Sequence, residues 1–484
     1  MTRVSRSLVL ANRYLDSVAL LRLSADLAAV NGVDAATAVM ATPANLERAR
    51  ENGITIDGPA SPNDLFVGVV GTEVACDKAL VLASSRLSAP KRDESYAATG
   101  PEPARSLDQF VRRGDAAELA LISVPGPYAA AEAGKALDLG MHVMIFSDNV
   151  TVHDEIELKT SASARGLLLM GPDCGTAIIN GVPLGFANVV RRGPIGVVGA
   201  SGTGMQEVTS RIHRLGLGVS QAIGCGGRDL SANVGARTML QGIAMLADDP
   251  STSVIVLVSK PPAAEVLIQV IAAAKAAMSK RKRVVASFVG LNERALDGSG
   301  IVVAPTLAAA ADLAVGRVEA TARSLPDSAP NATGTTIRGA FVGGTFCFEA
   351  WSLLSGRGIE ADRCSLVDFG DDEFTFGRPH PMIDPTFRDR WVAESLDDPS
   401  TAVVIVDVVL GHGSHLDPVA ELTRIIAKPR ANGPVVIAHV CGTELDPQGR
   451  DSVVARLGNV GALVADSNAE AVVWAADVVG AVRP

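Results

Sequence analysis

The chain has 484 residues, 48% of them hydrophobic, 20% charged and 4% aromatic, which excludes a small stapled scaffold and a mainly disordered chain. Lys and Arg total 43 against 53 Asp and Glu, a formal charge of −10. No general basic field exists to hold a nucleic-acid backbone or an anionic membrane, so an anionic substrate has to be bound locally.

In chain order, short β-branched runs alternate with alanine-rich segments of helical period, the signature of parallel βαβ units whose strands are buried on both faces. Strands are expected at residues 8–11, 35–41, 65–70, 119–124, 143–146 and 167–170, with helices at 16–30, 73–88 and 128–139. Residues 89–106 are polar and Pro-rich and read as a surface excursion. A second set of strands follows at 195–198, 219–223, 254–258, 284–289 and 301–303. The stretch 321–336 holds Pro, Ser, Asn and Gly without apolar periodicity, the composition of a linker. A third set lies at 339–342, 366–369, 403–408, 435–440 and 461–465, and ends in an amphipathic segment at 468–481. The expected fold class is α/β with three open parallel-sheet domains at 1–190, 191–320 and 338–484, joined by a linker at 321–337, and the resemblance carried by the motifs below implies that the first is a Rossmann-like domain of degenerate CoA-binding type and the other two are flavodoxin-like. No apolar run reaches the roughly 20 residues a membrane helix needs, and residues 1–10 carry no signal-peptide core. Six cysteines without a CxxC pair read as reduced thiols in a cytoplasmic protein, with no zinc-finger spacing.

Five turns carry candidate chemistry. At 195–207 (IGVVGASGTGMQE) a strand runs into Ser201, Gly202, Thr203 and Gly204 and then a helix, whose open amides make an anion site; the plainer reading is a capped strand-to-helix turn. Residues 406–417 (VDVVLGHGSHLD) repeat the pattern with Gly411, His412 and Gly413. Residues 368–384 (DFGDDEFTFGRPHPMID) gather Asp368, Asp371, Asp372, Glu373, Arg378, His380 and Asp384; carboxylates beside a histidine can hold Mg²⁺ or move protons, although solvated loop acids are the plainer reading. Residues 171–175 (GPDCG) and 224–229 (GCGGRD) also follow strands. Cys174 and Cys225 act as nucleophiles only if their thiolates are stabilised, and otherwise are small buried residues. Arg228, beside Gly226 and Gly227, suits a bidentate clamp on carboxylate or phosphate.

Taken in order, GPDCG, IGVVGASGTGMQEV, LGLGVSQAIGCGGRD, VIVLVSKPP and VVASFVG resemble the α subunit of succinyl-CoA synthetase, and residues 338–484 resemble the C-terminal domain of its β subunit. The fusion, with NRYLDSV at 12–18, TPAN at 42–45, MIFSDNV at 144–150, SKPP at 259–262 and GRPHPMIDPT at 377–386, is similar to the FdrA family over essentially the whole chain. Three departures bear on mechanism. The synthetases carry a Gly-rich CoA loop after their first strand, and residues 9–14 do not, a reason to doubt CoA binding. Residues 290–300 lack the synthetases' phosphorylated histidine. The ATP-grasp domain is missing.

The resemblance implies a subunit of a multi-subunit oxamate carbamoyltransferase of allantoin catabolism, exchanging carbamoyl between oxamate and phosphate. In it Ser201, Gly202, Thr203 and Gly204 bind phosphate or carbamoyl phosphate, Arg228 or Arg378 holds a carboxylate, and His380 or His412 handles a proton. Two opposed helix N-termini, starting near Ser201 and near Gly413, would face the phosphoryl group. The alternatives are an ADP-forming acyl-CoA synthetase subunit working with a separate ATP-grasp partner, and a non-catalytic assembly subunit.

Overall fold

A computed structural model describes residues 3–481 other than 12, 14, 16, 52, 63, 89–103, 105, 319–322, 327–331, 333, 376–378 and 431–432. The helix start expected at Asp16, most of the polar excursion, part of the linker and Arg378 lie outside the described residues. The chain forms two compact units, one of residues 1–103 and one of residues 104–375 and 380–484.

In the first unit the strand Leu65–Thr72 runs between Arg3–Leu10 and Val33–Met40 and is antiparallel to both. This corrects the single parallel sheet expected over 1–190. The crossover helix Ser17–Ala28 does leave its two flanking strands parallel to each other, as a βαβ unit must. They are split, because the wholly apolar start of Leu65–Thr72 is the run that gains most by being covered on both edges; Leu65, Phe66, Val67 and Val69 are fully buried.

The second unit holds three sheets. Leu119–Ile122, His142–Ile145 and Leu169–Met170 form a small parallel sheet, in agreement with the expectation. The largest sheet runs Val302–Val303, Arg283–Phe288, Val254–Ser259, Arg192–Gly199, Val219–Gly224, five parallel strands in the chain order 5-4-3-1-2, and is extended by an antiparallel hairpin, Thr176–Ile179 and Val182–Gly185. The third sheet runs Cys364–Asp368, Thr336–Phe341, Thr401–Val409, Val435–Cys441, Leu463–Ala465, all parallel in the order 2-1-3-4-5. Both large sheets therefore have flavodoxin-like order, and each has its topological switch point between its first and third strands.

These two sheets share one continuous apolar core, from Val197 and Val258 through Leu307 and Phe346 to Ile405 and Val472. At their seam lies the helix Gly202–Arg214. Although rich in polar residues it is buried along most of its length, because each long polar side chain finds a partner across the seam. Arg211 pairs with Asp312 at 3.0 Å and Asp466 at 2.9 Å, Arg214 with Asp466 at 2.6 Å, His213 with Glu444 at 2.8 Å, and Glu207 with His439 at 3.0 Å. The linker stretch is pinned in turn, since Arg323 binds Glu470 and the Trp474 indole donates to the Arg323 carbonyl at 2.8 Å.

Candidate functional site

The strand Arg192–Gly199 ends at Ser201, whose hydroxyl caps the helix Gly202–Arg214 by accepting from the Gly204 amide at 3.0 Å. The strand Thr336–Phe341 ends at Gly343, which opens the helix Gly344–Gly356. Each start lies at the switch point of its own sheet, where open α/β sheets take ligands. The two starts meet: the Ser201 and Thr345 hydroxyls are 2.5 Å apart, and a Cβ on Gly343 would stand 3.0 Å from Thr203. The first amides of both helices have no partner inside their own helix, so two positive ends converge on one place.

The second of these ends is not the one expected near Gly413. Gly411, His412 and Gly413 lie in a loop, and the next helix begins only at Ala420. That loop docks on residues 185–188, with the His412 amide donating to the Ala187 carbonyl at 2.9 Å and Gly413 against the Phe186 ring. The His412 side chain is exposed. The sequence signal for the Gly344 start is FVGGTFC at 341–347, a strand running into glycines and a hydroxyl, as in GASGTG. Asp407 fixes this turn: its carboxylate accepts the Val342 and Gly343 amides at 2.7 and 2.9 Å. Burial pushes its pKa up to about 6 against the pull of those amides and of Arg388.

His380 does reach this region. Its ring lies 5.6 Å from that of Phe186, and its Nε2 borders Gly370, whose amide donates to Asp368 at 2.9 Å. Nδ1 accepts the Met382 amide at 3.2 Å. Burial lowers the His380 pKa to about 4, so the ring is neutral at pH 7. The Asp368 carboxyl, beside Gly344, is pushed up by burial and held down by the Gly370 amide and by Lys260.

The GPDC and GCGGRD turns face one another on the same side of the large sheet. Asp173 has φ +56°, a strained setting for a non-glycine residue. It keeps an open surface in a crowded cleft, and the surrounding protein, then Asp148 and Asp372, push its carboxyl up to about 6 while Arg228 pulls it down. Arg228 is half exposed and already braced, donating to the Val150 carbonyl at 2.7 Å and pairing with Glu155 at 3.0 Å. Cys174 and Cys225 are fully buried, the first pushed up to about 12 by burial and the second well above its ordinary value. The buried reading of both thiols stands. Beneath these turns Lys159 is enclosed by Glu155 at 2.8 Å and Asp229 at 2.7 Å.

Gly226 shows how closely the turns fit. It has φ +85°, and a Cβ there would collide with the Pro172 carbonyl. Gly226→Ala should destabilise the second unit by about 2–4 kcal/mol, from the left-handed backbone plus overpacking. Urea midpoints of variant and wild type measure it, and an unchanged midpoint would show that the two turns move apart at little cost.

Comparison with known proteins adds to the geometry. Residues 340–478 match the CoA-ligase family model, residues 190–280 the CoA binding domain, and residues 1–103 the model described as AllF, heavy metal-associated domain. The uncharacterized protein YahF of Escherichia coli (strain K12) is 38% identical over 503 residues, 94% of this chain and 95% of that protein. The ADP-forming succinate–CoA ligase subunit alpha 2 of Archaeoglobus fulgidus is 30% identical over 159 residues, 32% of this chain and 54% of that subunit. Among solved structures, PH0766 from Pyrococcus horikoshii OT3 aligns over 79% of this chain and 87% of its own with 18% identity and a TM-score of 0.38. The CoA-binding match falls on residues 190–280 and not on the first strand. The heavy-metal description does not fit the ligands present: among the described residues no group of three or more His, Cys, Asp or Glu is placed to share an ion. Cys76, the cysteine of residues 1–103, is buried, and its thiol is pushed up by burial. Among the described residues, no helix is long and apolar enough to cross a membrane.

Proposed function

The chain belongs to the FdrA family of acyl-CoA-synthetase-like proteins, and from that premise we propose that it is the phosphate-handling subunit of a carbamoyltransferase acting between oxamate and phosphate. The observation that carries the proposal is the convergence of the Ser201 and Thr345 helix starts at 2.5 Å. In this reading a phosphate oxygen and the oxamate nitrogen exchange a carbamoyl group: as the C–O bond to phosphate breaks the C–N bond forms, the nitrogen loses a proton, and phosphate leaves. The two helix ends and the Ser201, Thr203 and Thr345 hydroxyls hold the phosphate oxygens. Such fixed donors stabilise the charge that grows on the leaving phosphate. The reaction needs neither an ATP-grasp domain nor a phosphohistidine, which fits residues 290–300. A role in allantoin catabolism, and partner subunits that complete the oxamate site, belong to the same proposal and are supported by the AllF match and by relatives that are themselves subunits.

Titration calorimetry of the full chain with inorganic phosphate tests it. Wild type is expected to bind, and to gain melting temperature with phosphate by mass action, while Gly202→Val and Thr345→Val lose at least tenfold in affinity. No binding to wild type, or equal binding to both variants, removes phosphate from this site. The transfer itself is read as phosphate release from carbamoyl phosphate and oxamate in the complex reconstituted with neighbouring gene products. A second reading, an acyl-CoA ligase subunit, is favoured by the CoA-binding and CoA-ligase matches. A saturable CoA complex without phosphate binding would put it first.

A further inference from the structure

We propose that Lys260 is the cation that completes the phosphate cradle and positions the anion between the two helix starts. The inference rests on the phosphate-site reading above.

Lys260 immediately follows the strand Val254–Ser259, the neighbour of Arg192–Gly199 across the switch point of the large sheet. The Val258 carbonyl accepts the Ala200 amide at 3.0 Å, which ties the end of the Lys260 strand to the Ser201 turn. From there the side chain reaches across the seam, and its Nζ lies 5.4 Å from the centre of the Phe348 ring on the helix Gly344–Gly356. The lysine thus follows a strand end tied to the Ser201 turn and rests its ammonium against the helix that begins at Gly344. Its charge is felt by Asp368 and by Cys347 on the far side of the seam, yet it makes no ion pair with any described residue and its side chain is exposed. Arg228, the clamp suggested by sequence, is instead occupied by Glu155 and the Val150 carbonyl.

The charge balance explains why such a cation is needed. Each helix start presents about half a positive charge, so two of them supply at most about one, the second being already partly met by the Asp407 carboxylate on the Val342 and Gly343 amides. A phosphate carries roughly −1.5 to −2 at neutral pH by analogy with phosphorylated side chains, and the nearby Asp368 adds negative charge whenever it is ionised. About one unit is left uncompensated, which is what a lysine ammonium supplies. An ammonium is also a compact point charge on a flexible stem, suited to follow the phosphate as it leaves the carbamoyl carbon. The Phe348 face gives it an attractive resting place by cation–π contact without neutralising it.

The test is phosphate titration of the full chain at two ionic strengths, comparing wild type, Lys260→Ala, Lys260→Arg and the surface control Lys275→Ala, each checked by circular dichroism. Lys260→Ala is expected to weaken binding 10- to 100-fold and to flatten its salt dependence, with Lys260→Arg restoring most of the affinity and Lys275→Ala unchanged. A Lys260→Ala affinity within twofold of wild type, while Gly202→Val still abolishes binding, overturns the assignment of Lys260 and leaves the phosphate site standing. Absence of binding by wild type overturns both. Loss with Lys260→Ala that Lys260→Arg does not restore also overturns a charge role, because only packing would then explain it.

Discussion

Turnover of the reconstituted complex should fall about 10²- to 10³-fold in His380→Asn, the cost of removing one fixed donor from an oxyanion-type site, and by clearly less in His380→Gln. The asymmetry follows from the ring's two nitrogens. Nδ1 accepts the Met382 amide at 3.2 Å, so the single proton of the neutral ring is on Nε2. Nε2 lies at Gly370, beside the Asp368 carboxyl and the Gly344 helix start. Asparagine copies the Nδ1 end of the ring, whereas glutamine carries an N–H near the Nε2 end. The residue expected to handle a proton would then act as a neutral hydrogen-bond donor to oxygen. Its pH dependence separates the two roles from an ordinary exposed histidine. With burial holding the pKa at about 4, the fraction of neutral ring is constant from pH 8 down to about 5, so no acid limb near 6.5 should come from His380. Equal activity of wild type and both variants would leave the chemistry to phosphate positioning or to a partner subunit. An acid limb near 6.5 that disappears in His380→Asn would mean that the ring is not buried as it is here. His412→Asn, in an exposed loop, should change little.

The parts of this arrangement visible in sequence are those written in local patterns. The Ser201 cap, the buried runs 254–258 and 403–408, and the Gly-rich turns all show themselves within a dozen residues, and both flavodoxin-like sheets follow from them. The sheet of residues 3–72 was misread because alternation of strands and helices gives the direction of crossover-linked strands and not which strand is inserted between them. The partner helix start at Gly344 has the same strand–glycine–hydroxyl pattern as Ser201, but the glycines at 411 and 413 also follow a buried strand, and the synthetase resemblance points to them as the counterpart. Residues such as Lys260, Asp407 and His439 have no local signature at all. A lysine after a buried strand, an aspartate inside one and a histidine in the middle of VVIAHVC become meaningful only when the two sheets are docked. The same holds for the helix Gly202–Arg214, whose polar composition would place it on a surface although it fills the seam.

That seam also sets stability. Glu207 is fully buried, with its carboxylate 3.0 Å from His439 Nε2 and 4.0 Å from Arg214. Burial alone would raise its pKa, but His439, Arg214 and Arg211 overcome it and hold the group at about 2, against its ordinary 4.5. Glu207→Leu removes one partner of the buried Glu207–His439 bridge and leaves His439 without its acid, while Arg211 and Arg214 keep Asp466, a change worth about 3–5 kcal/mol of destabilisation. The double variant Glu207→Leu, His439→Leu should recover part of that loss, because the second substitution removes the orphaned imidazole. Linkage gives the pH dependence its sign. Between pH 4.5 and about 2 the unfolded carboxyl binds a proton that the native one refuses, so the Glu207 contribution is complete above 4.5 and declines as the pH falls through that window. The difference in urea midpoint between wild type and Glu207→Gln should therefore be largest at pH 7, remain so to about 5, and narrow at 3.5. A Glu207→Leu protein within about 1 kcal/mol of wild type would show that water takes the place of the Glu207 carboxylate beside His439. The two sheets would then be held by their apolar core, and the alignment of the Ser201 and Thr345 helix starts would not depend on this pair.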